Sequence, residues 1–297
     1  MMAMELRHIR YLLAVADHGN FTRAAESLHI SQPTLSQQIK QLERLLDVQL
    51  LDRSGRTVTL TDAGLVYAEH ARNALRDLEA GERAVHDVQD LTRGHLRVAM
   101  TPTLTAYLIG PLMDRFHRAH PMVTVSVTET TQDRLEEDLL ADAIDLGIAF
   151  SGTHTAGIDA TALFTEHLSL VVGADHALAT HAGPLPIADL AVQPLALLSR
   201  DFATRVHIDG YLADHDVAPR VAIEANSISA LVEFTRRGTL GTVLPDAIAR
   251  AHPDLRPVAL VPALPSRTVE LLRRRTVYHS AAARAFAAIA EDVTAMP

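Results

Sequence analysis

Apolar residues over the first 46 positions recur three and four apart, which predicts three short helices. The first helix covers residues 4–18, and Gly19 after it can adopt the left-handed conformation that ends a helix. The second is the alanine-rich segment 21–28, whose start Asn20 can cap, and the third covers residues 31–46. Two helices joined by a turn of about three to four residues form a helix-turn-helix arrangement.

The third helix has one apolar face and one face without acid. Leu35, Ile39 and Leu42 repeat at helical spacing and are expected in the core. The other positions, which carry amides, hydroxyls and one ammonium, are Gln32, Thr34, Ser36, Gln37 and Lys40. Such side chains suit base edges in the major groove, where a carboxylate would be repelled by phosphates. A helix that contacts another protein could have the same surface, so this face alone leaves both partners open.

Alternating apolar and threonine residues at 57–61 predict a short strand after the third helix. The preceding "RSGR" is its expected turn, in which Gly55 would supply a positive φ. This β-wing carries Arg53 and Arg56. A long helix over residues 62–91 follows, and its near-heptad apolar stripe is expected to pack on a partner chain. The alternative is that this helix lies on its own domain.

From Gly94 onward, strand-like and helix-like segments alternate, which predicts an α/β body with mostly parallel sheets. The body is large for one sheet, so two lobes with a cleft between them are expected. The predicted helices cover residues 107–119, 134–140, 204–214, 227–236 and 281–293.

Composition places the chain among globular proteins, and the charge distribution separates its N-terminal end from the rest. The chain has 297 residues, of which 48% are hydrophobic and 21% charged, and no cysteine. It shows no apolar run long enough to span a membrane and no signal peptide, so we expect it in the cytoplasm and not in a membrane. Residues 1–61 hold seven Lys/Arg and six Asp/Glu, a net charge of +1, whereas the whole chain carries −9. Nucleic-acid binding confined to the N-terminal end fits this imbalance.

The strand ends of the body predict a site for a small polar anion. Ligands of α/β sheets bind beyond the carboxyl ends of the strands, and helices that begin there attract anions with their N–H groups. The predicted contacts are Thr101, Thr103, Thr130, Ser199 and Asn226, with Phe150, Phe202 and Arg205 as walls or charge partners. The alternative for each polar residue is that it caps a helix or shapes a turn.

The sequence offers no argument for catalysis or for a metal. His117 and His120 are three apart on a predicted helix, but they lack a third ligand at a suitable spacing. We therefore interpret the histidines as surface residues and predict no metal and no cofactor. The common nucleophile, phosphate-loop, dinucleotide and zinc-protease motifs do not occur. The competing hypothesis is a small-molecule enzyme or a solute-binding protein with an incidental helical extension.

Residues 5–62, with "FTRAAESLHISQPTLSQQIKQLERLLDVQLLDRSGRTVTLTDAG" at their centre, resemble the winged helix-turn-helix of LysR-type transcriptional regulators. The resemblance extends over essentially the whole chain. It implies an α/β two-lobed effector domain of the periplasmic-binding-protein type, preceded by an all-α winged helix-turn-helix domain and a long linker helix. The implied boundaries are 1–61 for the DNA-binding domain, 62–91 for the linker and dimerisation helix, and 92–297 for the effector domain, with lobe 1 at about 92–164 plus 268–297 and lobe 2 at about 165–267.

The resemblance also implies functions for individual residues. Gln32, Pro33, Thr34, Ser36, Gln37 and Lys40 would lie at or near double-stranded DNA, and Ser31 with Arg53 or Arg56 would lie on phosphates. For Pro33, a plain first-turn position is an equal alternative. The implied molecule is a ligand-responsive regulator, not an enzyme, that binds a dyad-symmetric operator as a homodimer or homotetramer.

Within the family, four segments are most similar to the cyanate operon regulator subgroup: "HDVQDLTRGHLRVAMTPTLTAYLIGPLM", "DLGIAF", "DFATR" and "AIEANSIS". That similarity implies control of a cyanate-metabolism operon, with cyanate or a similar small anion as the effector. A different small-molecule effector is the alternative.

Overall fold

The computed structural model describes residues 4–55, 57–89, 94–275 and 277–292. The chain forms two compact units, Met1–Arg83 (the head) and Ala84–Pro297 (the body). The division falls within one long helix, whereas the predicted boundaries lie at the two ends of that helix. Within the described residues, no helix is both long enough and apolar enough to cross a bilayer.

The head consists of three helices and a small wing, followed by the long helix. Its elements are α1 (Leu6–His18), α2 (Phe21–Ser27), α3 (Gln32–Leu46), β1 (Leu51–Asp52), β2 (Thr59–Leu60) and α4 (Asp62–Gln89). The predicted helix ends are confirmed, since Gly19 has a φ of 58° and the Asn20 side chain accepts the N–H groups of Thr22 and Arg23. These local contacts fix the lengths of α1 and α2.

The apolar face of α3 forms the centre of the head. Leu35, Ile39 and Leu42 are fully buried, as predicted. They pack with Leu12 and Val15 of α1, and with Ala24 and Ala25 of α2. Burying one leucine side chain contributes about 1.5–3 kcal/mol, so this face fixes how α3 is oriented in the head.

The wing is shorter than predicted and its turn is built differently. Leu51 pairs with Leu60 in a two-residue antiparallel ladder. The positive φ expected at Gly55 is wrong. The turn instead begins with the Asp52 carboxylate, which accepts the backbone N–H and the hydroxyl of Ser54. An aspartate side chain that bonds two residues ahead replaces the turn geometry for which a glycine is needed.

The first part of α4 lies on its own head, which was the alternative to packing on a partner chain. Ala68 and Ala71 are buried against Ile9 and Leu13 of α1. Further along the helix, the stripe residues Leu78 and Val85 are 47% and 59% exposed. Residues 90 and 91, at the predicted end of the helix, lie outside the described residues.

The body alternates strands and helices. In chain order its elements are β3 (His95–Met100), α5 (Pro102–Ala119), β4 (Thr124–Glu129), α6 (Gln132–Leu140), β5 (Leu146–Phe150), β6 (Ile158–Glu166), β7 (Leu168–Gly173), β8 (Leu185–Pro186), β9 (Pro194–Leu198), α7 (Ala203–Asp214), β10 (Arg220–Ala225), α8 (Ile228–Arg237), β11 (Thr242–Pro245), α9 (Asp246–Ala251), β12 (Leu255–Val258), β13 (Leu260–Val261), β14 (Arg267–Arg274) and α10 (Ala281–Asp292). Short 3₁₀ helices cover Ala177–Thr180 and Ile187–Val192.

These elements form two lobes. Lobe 1 has a five-stranded sheet in the order β4-β3-β5-β14-β6, covered by α5 and α10. In lobe 2, β7 lies between β11 and β12, and β9 pairs with β10. The prediction of mostly parallel sheets is wrong for two regions, because β14 is antiparallel to β5 and β6, and β7 is antiparallel to both neighbours. Strands β6 and β14 connect the lobes in opposite chain directions, which requires them to run antiparallel.

All five predicted helices of the body are present. Four of them start one to five residues from the predicted position, and α10 starts at Ala281 as predicted. Helix α5 begins at Pro102, five residues before the predicted start at 107, because a proline fits the first turn, where its missing N–H is not needed. Strand β6 and helix α9 were not predicted. The last predicted helical residue, Val293, lies outside the described residues.

A histidine held between two glutamates joins three elements of lobe 1. His154 lies between β5 and β6, with its Nδ1 2.7 Å from Glu136 of α6 and its Nε2 2.7 Å from Glu270 of β14. Glu136 also accepts the N–H and the hydroxyl of Thr155. Burial lowers the pKa of His154, but hydrogen bonds and charge from both glutamates outweigh it and raise the pKa above 6.5. Burial raises the pKa of Glu136, and its hydrogen bonds outweigh that effect and lower the pKa below 4.5.

The His154 cluster predicts a pH-dependent part of the stability. A raised histidine pKa stabilises the fold fully below pH 6.5 and progressively less as pH rises. A lowered glutamate pKa stabilises it above pH 4.5. We expect His154→Gln to lower the free energy of unfolding by on the order of 2 kcal/mol between these values, because two carboxylates lose their cation. The difference from wild type should shrink as pH rises above 6.5 in urea titrations.

The exposed His181 provides the matched control. His181→Gln should leave the unfolding curve unchanged at every pH. A difference between wild type and His154→Gln that stays constant from acid to alkaline pH would mean that His154 carries no charge in the fold.

Candidate nucleic-acid interface and ligand cavity

The acid-free face of α3 is exposed. Gln32, Thr34, Gln37 and Lys40 are exposed and Ser36 is partly buried. The predicted DNA-facing residues of α3 therefore lie on one accessible surface, above a fully buried apolar face. Pro33 is exposed too and occupies the first turn of α3.

Two of the hydroxyls on this face also hold the start of the helix. The Ser31 side chain accepts the backbone N–H of Thr34 at 3.3 Å, and the two hydroxyl oxygens are 2.7 Å apart. This is the cap geometry that satisfies a free N–H at a helix start. The longer flexible polar side chains of the exposed face are thus those of Gln32, Gln37 and Lys40.

A buried histidine fixes α3 relative to α1, and sequence reasoning missed it. His8 is fully buried, and its Nδ1 accepts the backbone N–H of Glu5 at 3.1 Å. The proton of the neutral ring therefore lies on Nε2, which donates to the Gln38 side-chain oxygen at 3.0 Å. Glu5 and His8 form a capping box at the start of α1, but they are not the Ser/Thr and Glu/Gln pair by which this motif is recognised in a sequence.

The wing arginine Arg53 is engaged inside the head. Its guanidinium donates to Glu43 of α3 at 2.8 Å and lies 5.3 Å from the centre of the Phe21 ring. Glu43 also accepts the N–H groups of Leu50 and Leu51, so this pair ties the wing to α3. The phosphate contact predicted for Arg53 stays a prediction. Arg56, its alternative, lies outside the described residues.

A cavity of about 120 Å³ lies in the cleft of the body, where three helices begin. Its lining residues come from the starts of α5, α6 and α7: Thr101, Pro102, Thr103, Glu129, Thr130, Thr131, Gln132, Asp201, Phe202 and Ala203. Four of the eight residues predicted for the effector lie in this lining, namely Thr101, Thr103, Thr130 and Phe202. Helices α5 and α6 belong to lobe 1 and α7 belongs to lobe 2, so both lobes contribute to the cavity.

The other four predicted residues are not in the lining. Arg205 is buried and paired with Asp209 and Glu224, and these hydrogen bonds outweigh the lowering effect of burial and raise its pKa. Its charge is thereby balanced within lobe 2. Ser199 donates to Asp201, and Asn226 is exposed. Phe150 lies under the Arg267 guanidinium, whose Cζ is 3.5 Å from the centre of the phenyl ring.

The cavity presents hydrogen-bond donors. The residues that precede the three helices, Thr101, Thr131 and Phe202, make no side-chain cap. The first N–H groups of α6 and α7 are therefore available, whereas α5 begins with Pro102, which has no N–H, and offers the N–H of Thr103. The Thr101 hydroxyl is buried and has no hydrogen-bond partner within the described residues. Such an arrangement favours an anion or another strong acceptor. Glu129 and Asp201 also line the cavity but are exposed, so solvent weakens their opposing charge.

A buried polar network lies behind the cavity. The Arg267 Nε donates to Glu166 at 2.5 Å, and the Tyr107 hydroxyl donates to the same carboxylate at 2.6 Å. Burial raises the Tyr107 pKa and the charge of Glu166 adds to that effect. Burial lowers the pKa of Arg267, while Glu166 opposes that shift. Sequence reasoning missed this network, because its members are far apart along the chain and none belongs to a motif.

Within the described residues, no three His, Asp or Glu side chains are grouped so that they could hold a metal ion.

Comparisons with known proteins match both units. The bacterial regulatory helix-turn-helix protein, lysR family, matches residues 6–65, and the LysR substrate binding domain matches residues 89–295. The nitrogen assimilation regulatory protein Nac of Klebsiella aerogenes is 34% identical over 252 residues, which cover 84% of this chain and 80% of the relative. The hydrogen peroxide-inducible genes activator of Pectobacterium carotovorum is 30% identical over 274 residues, 91% of this chain and 90% of the relative. These families and relatives are regulators, not enzymes.

Solved structures agree with this architecture. Full-length CbnR in complex with its target DNA is 28% identical, with a TM-score of 0.65 over 97% of this chain and 99% of that chain. A full-length OxyR variant from Pseudomonas aeruginosa has a TM-score of 0.70 at 24% identity, over 100% of this chain and 96% of that chain, which supports the fold.

The packing of α3 predicts a sharp contrast between two leucines of one helix. Leu35→Ala should destabilise the head by about 2–5 kcal/mol, because it opens a cavity under the exposed face. Leu45→Ala is the matched control, since Leu45 is 37% exposed. Hydrogen exchange of the full chain should show faster exchange of α3 amides in Leu35→Ala and little change in Leu45→Ala. Equal protection in both variants would contradict the assigned core face.

Proposed function

From the premise that the chain belongs to the LysR family of transcriptional regulators, we propose that α3 reads operator bases and that the cleft cavity binds a small anionic effector. The observation that carries the first part is the exposed, acid-free face of α3 above a fully buried apolar face. The observation that carries the second is the meeting of three helix starts without side-chain caps around one small cavity.

The polar groups of α3 suit direct contact with bases. A glutamine side chain can pair with an adenine edge, while threonine suits several acceptors and the thymine methyl. Gln32 and Thr34 lie in the first turn of α3, the part of a recognition helix that faces base edges. The DNA complex of CbnR, a relative of the same architecture, supports double-stranded DNA as the partner. Lys40 would add a contact to phosphate, and so would Arg56, for which the resemblance implies such a contact.

We propose that the regulator acts as a dimer or tetramer on a dyad-symmetric site. Symmetric assemblies place two recognition helices about 34–36 Å apart, one turn of the duplex. The exposed apolar residues Leu78 and Val85 on α4 support an assembly in which this helix packs on a second copy.

The cavity supports a small effector with strong acceptor atoms. Its volume of about 120 Å³ is well below the roughly 300–1,000 Å³ of sites for drug-sized ligands. The chain contains no cysteine, so oxidation of a thiol cannot be its signal, although some relatives are named for hydrogen peroxide. Cyanate fits by size and charge, but the comparisons do not support the cyanate subgroup. Cyanate is therefore one candidate among small anions.

The competing hypothesis of an enzyme or a solute-binding protein has lost its support. The matched families cover both units and are families of regulators. The alternative that remains is a regulator of this family whose effector is not an anion.

The DNA interface is tested by substitutions on the exposed face of α3. Gln32→Ala or Thr34→Ala should relax base preference at one operator position, each lost contact reducing discrimination by about 1–3 kcal/mol. Lys40→Ala should weaken binding to all sequences alike and reduce the slope of log K against log salt by about 1. Fluorescence anisotropy with the region upstream of the protein's own gene, and with single-base variants of the bound site, measures both effects.

Gln193→Ala in lobe 2 is the matched control for an amide removed far from α3 along the chain. It should leave affinity and base preference at the wild-type level. Unaltered base preference in both the Gln32 and the Thr34 variants would contradict the assignment of α3 as the recognition helix.

The effector site is tested by calorimetric titration of the full chain. Cyanate, nitrate, bicarbonate, acetate and sulfate form the anion panel, with acetamide as the uncharged comparison. We expect at least one anion to bind, and Thr101→Val to weaken it about tenfold, because a hydroxyl donor to a charged acceptor contributes about 1.5–3 kcal/mol. Ser266→Ala, outside the cavity lining, should bind as wild type. Heat from acetamide and none from any anion of the panel would overturn the anionic class.

A further inference from the structure

A line of hydrogen bonds connects the cavity to the buried network behind it. The hydroxyl oxygens of Thr103, on α5 of lobe 1, and Thr204, on α7 of lobe 2, are 2.9 Å apart. The Arg267 guanidinium donates to the Thr204 oxygen, also at 2.9 Å. Thr103 and Thr204 are both buried, and Thr103 lines the cavity. The line therefore crosses from one lobe to the other.

The donors and acceptors of Arg267, Thr204 and Thr103 determine which hydroxyl donates in each hydrogen bond of this line. Arginine has donors only, so the Thr204 oxygen accepts from Arg267. The Thr204 hydrogen then has one acceptor among the contacts of the described residues, the Thr103 oxygen. In the reverse arrangement, Thr103 donates to Thr204 and the Thr204 hydrogen is left unbonded in the interior, which is unfavourable. The forward arrangement leaves the Thr103 hydrogen free, and it can bond a molecule in the cavity.

Arg267 cannot turn away from this position without breaking other contacts. Its Nε is bound to Glu166, and its guanidinium lies over the Phe150 ring. Tyr107 in turn holds Glu166. A cation held by Glu166 and Phe150 gives Thr204 one constant donor, so the direction of the line is built into the fold.

We propose that Arg267 is a positioning residue that, through Thr204, directs the Thr103 hydroxyl into the cavity as a donor and so sets the preference of the cavity for acceptor ligands. This inference rests on the proposed function of the cavity as an effector site. Arg267 does not reach the ligand and acts only by fixing which way two hydroxyls point. Thr103 is the residue that touches the ligand.

The direction of the hydroxyls can be seen without a ligand. Neutron diffraction from crystals of the full chain exchanged into D₂O should place the Thr204 deuterium on the line to the Thr103 oxygen, and the Thr103 deuterium toward the cavity. The opposite placement, with Thr103 donating to Thr204, would overturn the proposal. This measurement does not depend on whether any anion binds.

Two substitutions of Thr204 separate the hydroxyl from the packing. With the anion of the panel that binds wild type most tightly, Thr204→Val should weaken binding about tenfold and Thr204→Ser should restore it, because serine keeps the hydroxyl. Binding of acetamide, which can itself donate, should change less than that of the anion. Wild-type anion affinity in Thr204→Val would overturn the proposal. If no panel anion binds wild type, the anionic effector is refuted, and the deuterium positions alone decide the role of Arg267.

Discussion

The buried pair of Arg267 and Glu166 is the constraint on which the arrangement of the body depends. Glu166 is the last residue of β6 and Arg267 the first of β14, and they face each other in the sheet. All of lobe 2 lies between these two residues along the chain. The pair therefore holds together the strand that leads into lobe 2 and the strand that returns from it. Both side chains are more than nine-tenths buried, and removing either would leave an uncompensated charge in the interior. Tyr107 and Phe150 complete the surroundings of this pair.

In the head, one helix has to satisfy two requirements. The apolar face of α3 fixes its orientation through Leu35, Ile39 and Leu42, and the opposite face stays free for a partner. Some polar side chains of α3 hold the head together, and others are left to face the partner. Ser31 and Thr34 bond each other at the helix start, and Glu43 holds the wing through Arg53. The acid that does occur on α3 is thus neutralised within the head, which keeps the exposed face favourable for a polyanion.

Sequence reasoning succeeded where a contact depends on near neighbours. The left-handed Gly19, the Asn20 cap and the buried stripe of α3 all involve residues within a few positions. It failed where a side chain finds its partner through the tertiary fold. The strand-end rule located the cavity and four of its residues, but it could not show that Arg205 is paired with Glu224, 19 positions away. A buried pair 101 residues apart, such as Arg267 and Glu166, leaves no local pattern to detect.

For the proposed effector site, the position of the cavity restricts how a bound ligand can generate a signal. A ligand shifts a conformational equilibrium only by the difference between its affinities for the two states. The cavity is lined from lobe 1 by the starts of α5 and α6, and from lobe 2 by the start of α7. A bound acceptor therefore gains its full set of donors only when the lobes keep this arrangement. Allosteric coupling of about 1–3 kcal/mol corresponds to the gain or loss of about one charge-assisted hydrogen bond. Under the proposal that the cavity binds a small ion, one donor supplied across the lobe boundary is consequently enough to make that ion a regulatory signal.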